Sequence, residues 1–218
     1  MKHALFFISM IGIGLFGCMK SQITDSLTKQ TDVTQFSVAT VLAVDFEDKG
    51  FAECVQKDLK REFRKIEFIP GDRFRDALFP WFDPKTAPRE EGELSSILCK
   101  TLVRDRIEAI GVELLIYVHG DTNQRRFSGF HGGGYGGAAG YYGAERKTHI
   151  WTTVWDLKDH VRVGDTDVNF QGTVHMPIFG LPIIIPVFTE SSACNETSKR
   201  ISNCLKGEGS HKNKLDDR

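Results

Sequence analysis

The chain has no H-x-x-x-H or HExxH arrangement among its seven histidines and no CxxC pair among its five cysteines, so the compact ligand sets of common zinc sites are missing. It has no G-x-S-x-G elbow and no G-K-[ST] dipeptide, which excludes an α/β-hydrolase nucleophile turn and a phosphate loop. An excess of charge of either sign is also lacking: 28 Lys and Arg stand against 29 Asp and Glu. A surface so balanced gives no electrostatic footprint for nucleic acid, and none is expected as a partner. Long apolar runs are absent too, because the uncharged stretch from Ala4 to Gly17 falls short of the ~20 residues a helix needs to cross a bilayer.

What is there begins with that short stretch. One Lys precedes it and the small residue Gly17 ends it, which is the pattern of a removable secretory signal over residues 1–17. The four residues Leu15, Phe16, Gly17 and Cys18 resemble the lipobox of bacterial lipoproteins. The resemblance implies a Cys18 that becomes the acylated first residue of the mature chain, carrying palmitate-like chains. Two or three such chains hold a protein on a membrane where one would bind only reversibly. Met19 stands where inner-membrane lipoproteins of enteric bacteria carry Asp, which implies the outer membrane, facing the periplasm. Without residues 1–17, 27 basic residues face 29 acidic ones. In an oxidising compartment the even count of Cys54, Cys99, Cys194 and Cys204 suggests disulfides. If Cys194 and Cys204 share a helix they sit ~15 Å apart, beyond bonding reach, which favours cross-pairing to Cys54 and Cys99. The alternative is that some are small buried apolar side chains.

Residues 18–35 have little apolar content and read as a lipidated N-terminus and flexible tether. FSVATVLAVDF (36–46) is apolar on both faces, as a central parallel strand is. Phe51, Val55, Leu59 and Phe63 recur at helical spacing opposite a basic face, and KIEFIP gives a short second strand. Residues 71–90 mix four aromatics with three prolines and read as a loop capping the core. ELSSILCKTLVRDRIEAIG reads as one helix ended by Gly111, and VELLIYVH as the third parallel strand. HIWTTVWD and VNFQGTVHM alternate like half-exposed antiparallel strands. Cys194, Thr197, Ile201 and Leu205 then mark a last helix. The expected fold is α/β: a three-stranded parallel β-α-β-α-β core extended by an antiparallel strand pair, with helices on the faces and a C-terminal helix. A single domain over 36–206 is followed by a disordered tail over 207–218. The apolar run 177–188 is expected to be buried or to lie against the membrane.

Residues 129–143 hold eight glycines. Gly132, Gly134 and Gly137 satisfy G-x-G-x-x-G, but a strand follows where a dinucleotide site needs a helix. The segment reads as a Gly-rich loop whose Phe130, Tyr135, Tyr141 and Tyr142 are candidate partner contacts. No cofactor and no metal site is expected. Trp151 and Trp155 share a strand face, where packing is the expected role and stacking on a sugar the alternative. The element order resembles the small periplasmic α/β domains of the Tol-Pal translocation protein's N-terminal region and of the curli secretion lipoprotein. That resemblance implies a membrane-anchored envelope lipoprotein that binds or assembles a protein or cell-wall partner without catalysis. The alternative, from another class, is an envelope hydrolase or metal-binding enzyme using Asp45, His119 and Asp121 at the carboxyl end of the sheet.

Overall fold

The computed structural model describes residues 18–27, 32–44, 49–83, 85–89, 91–133, 137–177 and 189–207. Among these the chain forms strands β1 (Cys18–Leu27) and β2 (Val38–Ala43), helix α1 (Lys49–Glu62), β3 (Glu67–Ile69), helices α2 (Gly71–Ala77), α3 (Glu91–Leu98) and α4 (Thr101–Ile110), strands β4 (Leu114–Gly133), β5 (Gly137–Asp156) and β6 (Val161–Pro177), and α5 (Thr189–Leu205). The order across the one six-stranded sheet is β1-β6-β5-β4-β2-β3. β2 pairs in parallel with β3 and β4, and the β4, β5, β6, β1 run is antiparallel. This is the mixed α/β fold expected from the sequence, a parallel core with antiparallel strands added at one edge.

Apolar runs in β2 and in the first turns of β4 become strands covered on both faces. On one face Val41, Leu114, Ile116, Ile150, Val154 and Val168 pack under α1 and α5. On the other, Leu42, Leu115, Tyr117 and Trp155 pack under α2, α3 and α4. α1 meets the sheet through Ala52, Val55 and Leu59, and α5 through Ala193, Cys194, Thr197, Ile201 and Leu205. Trp155 is buried and Trp151 packs against the same cluster, so both indoles serve as packing groups.

Four expectations need correction. Residues 71–77, read as part of a loop, form α2, which starts after the extended Pro70 and buries Phe74 and Arg75. Residues 18–27 are not a tether: they form β1, paired along their whole length with β6 from Cys18 opposite Thr173 to Leu27 opposite Gly164. A polar strand suffices there because β1 is an edge whose ladder bonds come from the backbone. Asp25 also ties it to α5 through Arg200, at 3.0 Å. Gly164 is a fixed requirement of this edge, since a Cβ there would lie 2.7 Å from the Ser26 carbonyl oxygen.

The glycine-rich segment is likewise not a loop in its described parts. β4 continues to Gly133 and β5 starts at Gly137, in unbroken antiparallel register. Phe127 lies opposite Gly143, and a Cβ on Gly143 would fall 2.2 Å from that ring. An aromatic covering a cross-strand glycine supplies the packing that glycine lacks.

Finally, the helix expected over 93–111 is two. Lys100 is extended (φ −71°, ψ 129°) and opens α4. A single helix would bury Leu102; the break rotates Val103 and Ile107 inward instead and leaves Leu102 54% exposed. Gly111, at φ +70°, ends α4 as expected. Residues 45–48 with Asp45, Tyr135 and the run 178–188 lie outside the described residues, as do 1–17 and 208–218.

Candidate functional site

Among the described residues, a helix covers the antiparallel half of the sheet on one face only. α5 closes one side, where Thr148, Ile150, Thr152, Thr166, Val168 and Phe170 are buried and the Thr148 and Thr189 hydroxyls meet at 2.7 Å. The residues that alternate with these carry the polar side chains of the open face. Asp121 lies opposite His149 and His149 opposite Asn169; His119 lies opposite Trp151 and Trp151 opposite Asp167. β1 adds Gln22 and Thr24 to the same rows. His149 Nε2 and an Asp167 carboxylate oxygen are 2.9 Å apart and both side chains are half-exposed. Thus His119 and Asp121 share a face, as period-two geometry requires, and the pattern that finds it in the sequence is the polar set alternating with Ile150, Thr152 and Val168. The structure brings His119 and Asp121 together with His149 and Asp167, two residues that sequence reasoning missed.

Cys18 opens β1 at one end of this half-sheet. Its row runs Cys18, Thr173, Glu145, Arg125 across β1, β6, β5 and β4. Phe130, Tyr141 and Tyr142 lie on the hairpin strands past that row, with Phe130 opposite Gly140 and Tyr141 opposite both Gly129 and Pro177.

The disulfide joins Cys54 of α1 to Cys194 of α5, locking together the two helices of one face. Among the described residues, Cys54, Asp58 and Cys194 are also a group with donor atoms within 4.8 Å. With their sulfurs joined to each other, the two cysteines are not thiolate ligands. The expected cross-pairing holds for these two alone and is corrected for the others: Cys99, exposed at the end of α3, and Cys204, half-buried in α5, are free thiols. Burial, aided by the carboxylates of Asp25 and Asp165, pushes the Cys204 thiol up to about 11. At about pH 8 iodoacetamide is therefore expected to modify Cys99 while Cys204 reacts slowly until the chain unfolds; mass mapping of the first modified peptide checks this, and equal rates would contradict the packing of Cys204.

A second concavity, about 560 Å³, opens at the carboxyl end of β2 between α1 and α2. The strand order turns here: α1 and α2 lie on opposite faces of the sheet, the arrangement that leaves a crevice in open α/β sheets. Gly71 lets α2 approach, since a Cβ there would lie 2.5 Å from the Val41 carbonyl oxygen. Arg75, 9% exposed, bonds the Ala43 carbonyl oxygen at 2.7 Å and lies 3.7 Å from Asp72, which turns its charge to holding α2 against β2. Lys49, Lys57 and Lys60 line the rim.

No protein-family model matches the chain, and no curated protein matches it. Among solved structures it is similar to the PelC dodecamer from Paraburkholderia phytofirmans, at 10% identity and a TM-score of 0.32, covering 88% of this chain and 98% of that one. It is similar to a neuraminyllactose-binding hemagglutinin homolog from Helicobacter pylori, at 9% identity and a TM-score of 0.36, covering 83% and 84%. Lipoprotein GNA1162 from Neisseria meningitidis gives 6% identity and a TM-score of 0.30, covering 77% and 99%. At such TM-scores the likeness carries no inference about this chain.

Proposed function

We propose that the protein is an envelope lipoprotein, anchored through acyl chains on Cys18 to the periplasmic face of the outer membrane, whose α/β body is a binding or assembly module without chemistry of its own. The observation that supports this reading most is that the lipobox-like cysteine is the first residue of a paired strand. An anchor placed there would fix the open polar face of the half-sheet at a set height and orientation above the bilayer, which suits presentation of a surface to an envelope partner. The Cys54–Cys194 bridge suits an oxidising compartment. No helix among the described residues is long and apolar enough to cross a membrane, and acyl chains would supply the attachment.

Full-length protein expressed in an enteric bacterium is expected to lose residues 1–17, to carry acyl chains on Cys18 by intact mass, and to float with outer-membrane fractions. The Cys18→Ala variant is expected to move to the soluble periplasmic or unprocessed fraction. A mature mass without acyl chains sinks the reading.

A further inference from the structure

Fixed charge stops along the sheet one residue past the row that contains Cys18. Past Arg125 and Glu145 in that row, β4 and β5 continue to Gly133 and Gly137, and β6 continues from Thr173 to Pro177. Arg126 is the last charged residue on the outgoing strand. Residues 127–144 contain no Asp, Glu, Lys or Arg, and neither do residues 168–189, in a chain of which 26% is charged. Instead the strand positions past the row hold Phe127, Phe130, Tyr141, Tyr142 and Met176 among Gly and Ala.

The rows on either side of Cys18, from that of Lys20 to that of Arg126, have the opposite character. Lys20, Arg125, Arg126, Arg146 and Lys147 gather there, offset by Glu145, which is 3.4 Å from Lys147, and by Glu190, which pairs with Arg146. A cationic belt followed by a charge-free, aromatic-bearing end is the order of side chains that anionic headgroups and the acyl boundary select.

From Arg125 to Gly133 the strand extends about 26 Å beyond the row, at about 3.3 Å per residue. Its depth in a bilayer is limited by the backbone. Among the described residues β2 pairs with β4 only as far as Val118, and no described strand runs beside the outer edge of β4 past that point. An open edge is not tolerated in hydrocarbon, where its N–H and C=O groups find no partner. Water and headgroups at the interface do satisfy it.

We infer that the uncharged end of the β4–β5 hairpin rests in the headgroup and upper acyl region of the leaflet that holds Cys18, with the Arg125, Arg126, Arg146 and Lys147 belt against phosphate-bearing lipid. This deepens the lipoprotein reading and rests on it. The hairpin is then a second attachment that sets the tilt of the body, so that the open face is held at a fixed angle to the membrane.

The test uses the exported, acylated protein in vesicles of equal parts phosphatidylethanolamine and phosphatidylglycerol. In a Cys99→Ser, Cys204→Ser background, Ser128→Cys carries an environment-sensitive fluorophore, and Ser96→Cys on α3 carries the same label as control. Lipids brominated on the acyl chains are expected to quench the label at 128 several-fold more than the label at 96, and its emission is expected to shift to the blue. Adding Ala139→Asp is expected to return the label at 128 to water without loss of the acyl mass or of the Cys54–Cys194 bridge. Equal quenching at 128 and 96 in protein whose mass shows an acylated Cys18 overturns the inference alone. A mass without acyl chains overturns both it and the lipoprotein reading.

Discussion

Removing the Cys54–Cys194 bridge is expected to lower the unfolding free energy by about 3–5 kcal/mol and the melting temperature by about 10 °C. The bridge spans 140 residues of sequence, and in the chain-entropy account closing a loop that long restricts the unfolded chain by about 5 kcal/mol. It also joins α1 to α5, next to the ion pair of Lys206 with Glu62, an exposed contact worth little. Cys194 is 1% exposed, so alanine, which leaves no orphaned polar atom, is the substitution of choice at both positions. Urea unfolding of the Cys54→Ala, Cys194→Ala variant against the native protein, and of the native protein with and without reductant, measures the loss. A midpoint that reductant does not move would show that the two sulfurs are not bonded.

The layout of the chain was legible where burial writes a strong pattern. Val38–Ala43 and Leu114–Val118 are covered on both faces, so both stood out as apolar runs in which the few polar groups, the Thr40 and Tyr117 hydroxyls, each bond a backbone carbonyl. The alternation in β5 and β6 was legible because α5 covers one face and the other is open. β1 was illegible for the converse reason. Its ladder uses backbone groups that every residue has, and among its described side chains Ile23 is the one packed against the core as a partly buried apolar group. The hairpin past Phe127 was misread because glycine has low strand propensity, whereas cross-strand pairing and the Phe127 ring over Gly143 override it. The α3–α4 break turns Val103 and Ile107 into the cluster that holds Phe74 and Leu78, a tertiary grouping that no helical stripe records.

The candidate site was legible in pieces. Cys18 stood out by its neighbours, and His119 and Asp121 by their place after an apolar strand. Which face they share with His149 and Asp167 depends on register across three strands, which a linear pattern does not contain. Cysteine spacing likewise left the pairing open, because it depends on α1 and α5 meeting on the same side of the sheet.

The aromatic stretch 71–90 provides the second large expected effect. Phe82→Ala is expected to cost about 3–5 kcal/mol, the range for deleting a buried ring, while Phe79→Ala three residues earlier is expected to stay within about 0.5 kcal/mol, as surface changes do. Phe82 and Phe74 are both fully buried, whereas Phe79 is 60% exposed. The Phe82 ring meets Phe74 edge-on at 5.8 Å and Tyr117 at 6.1 Å. Tyr117 in turn donates its hydroxyl to the Pro88 carbonyl oxygen at 2.7 Å, so the three rings and one hydrogen bond fasten the irregular segment to β4. Loss of the Phe82 ring leaves a cavity between Phe74 of α2 and Tyr117 of β4 and loosens the irregular residues that follow α2 from the sheet. Urea midpoints of the two variants separate the roles: a Phe79→Ala loss as large as that of Phe82→Ala would mean that the Phe79 ring is packed in the fold and not exposed.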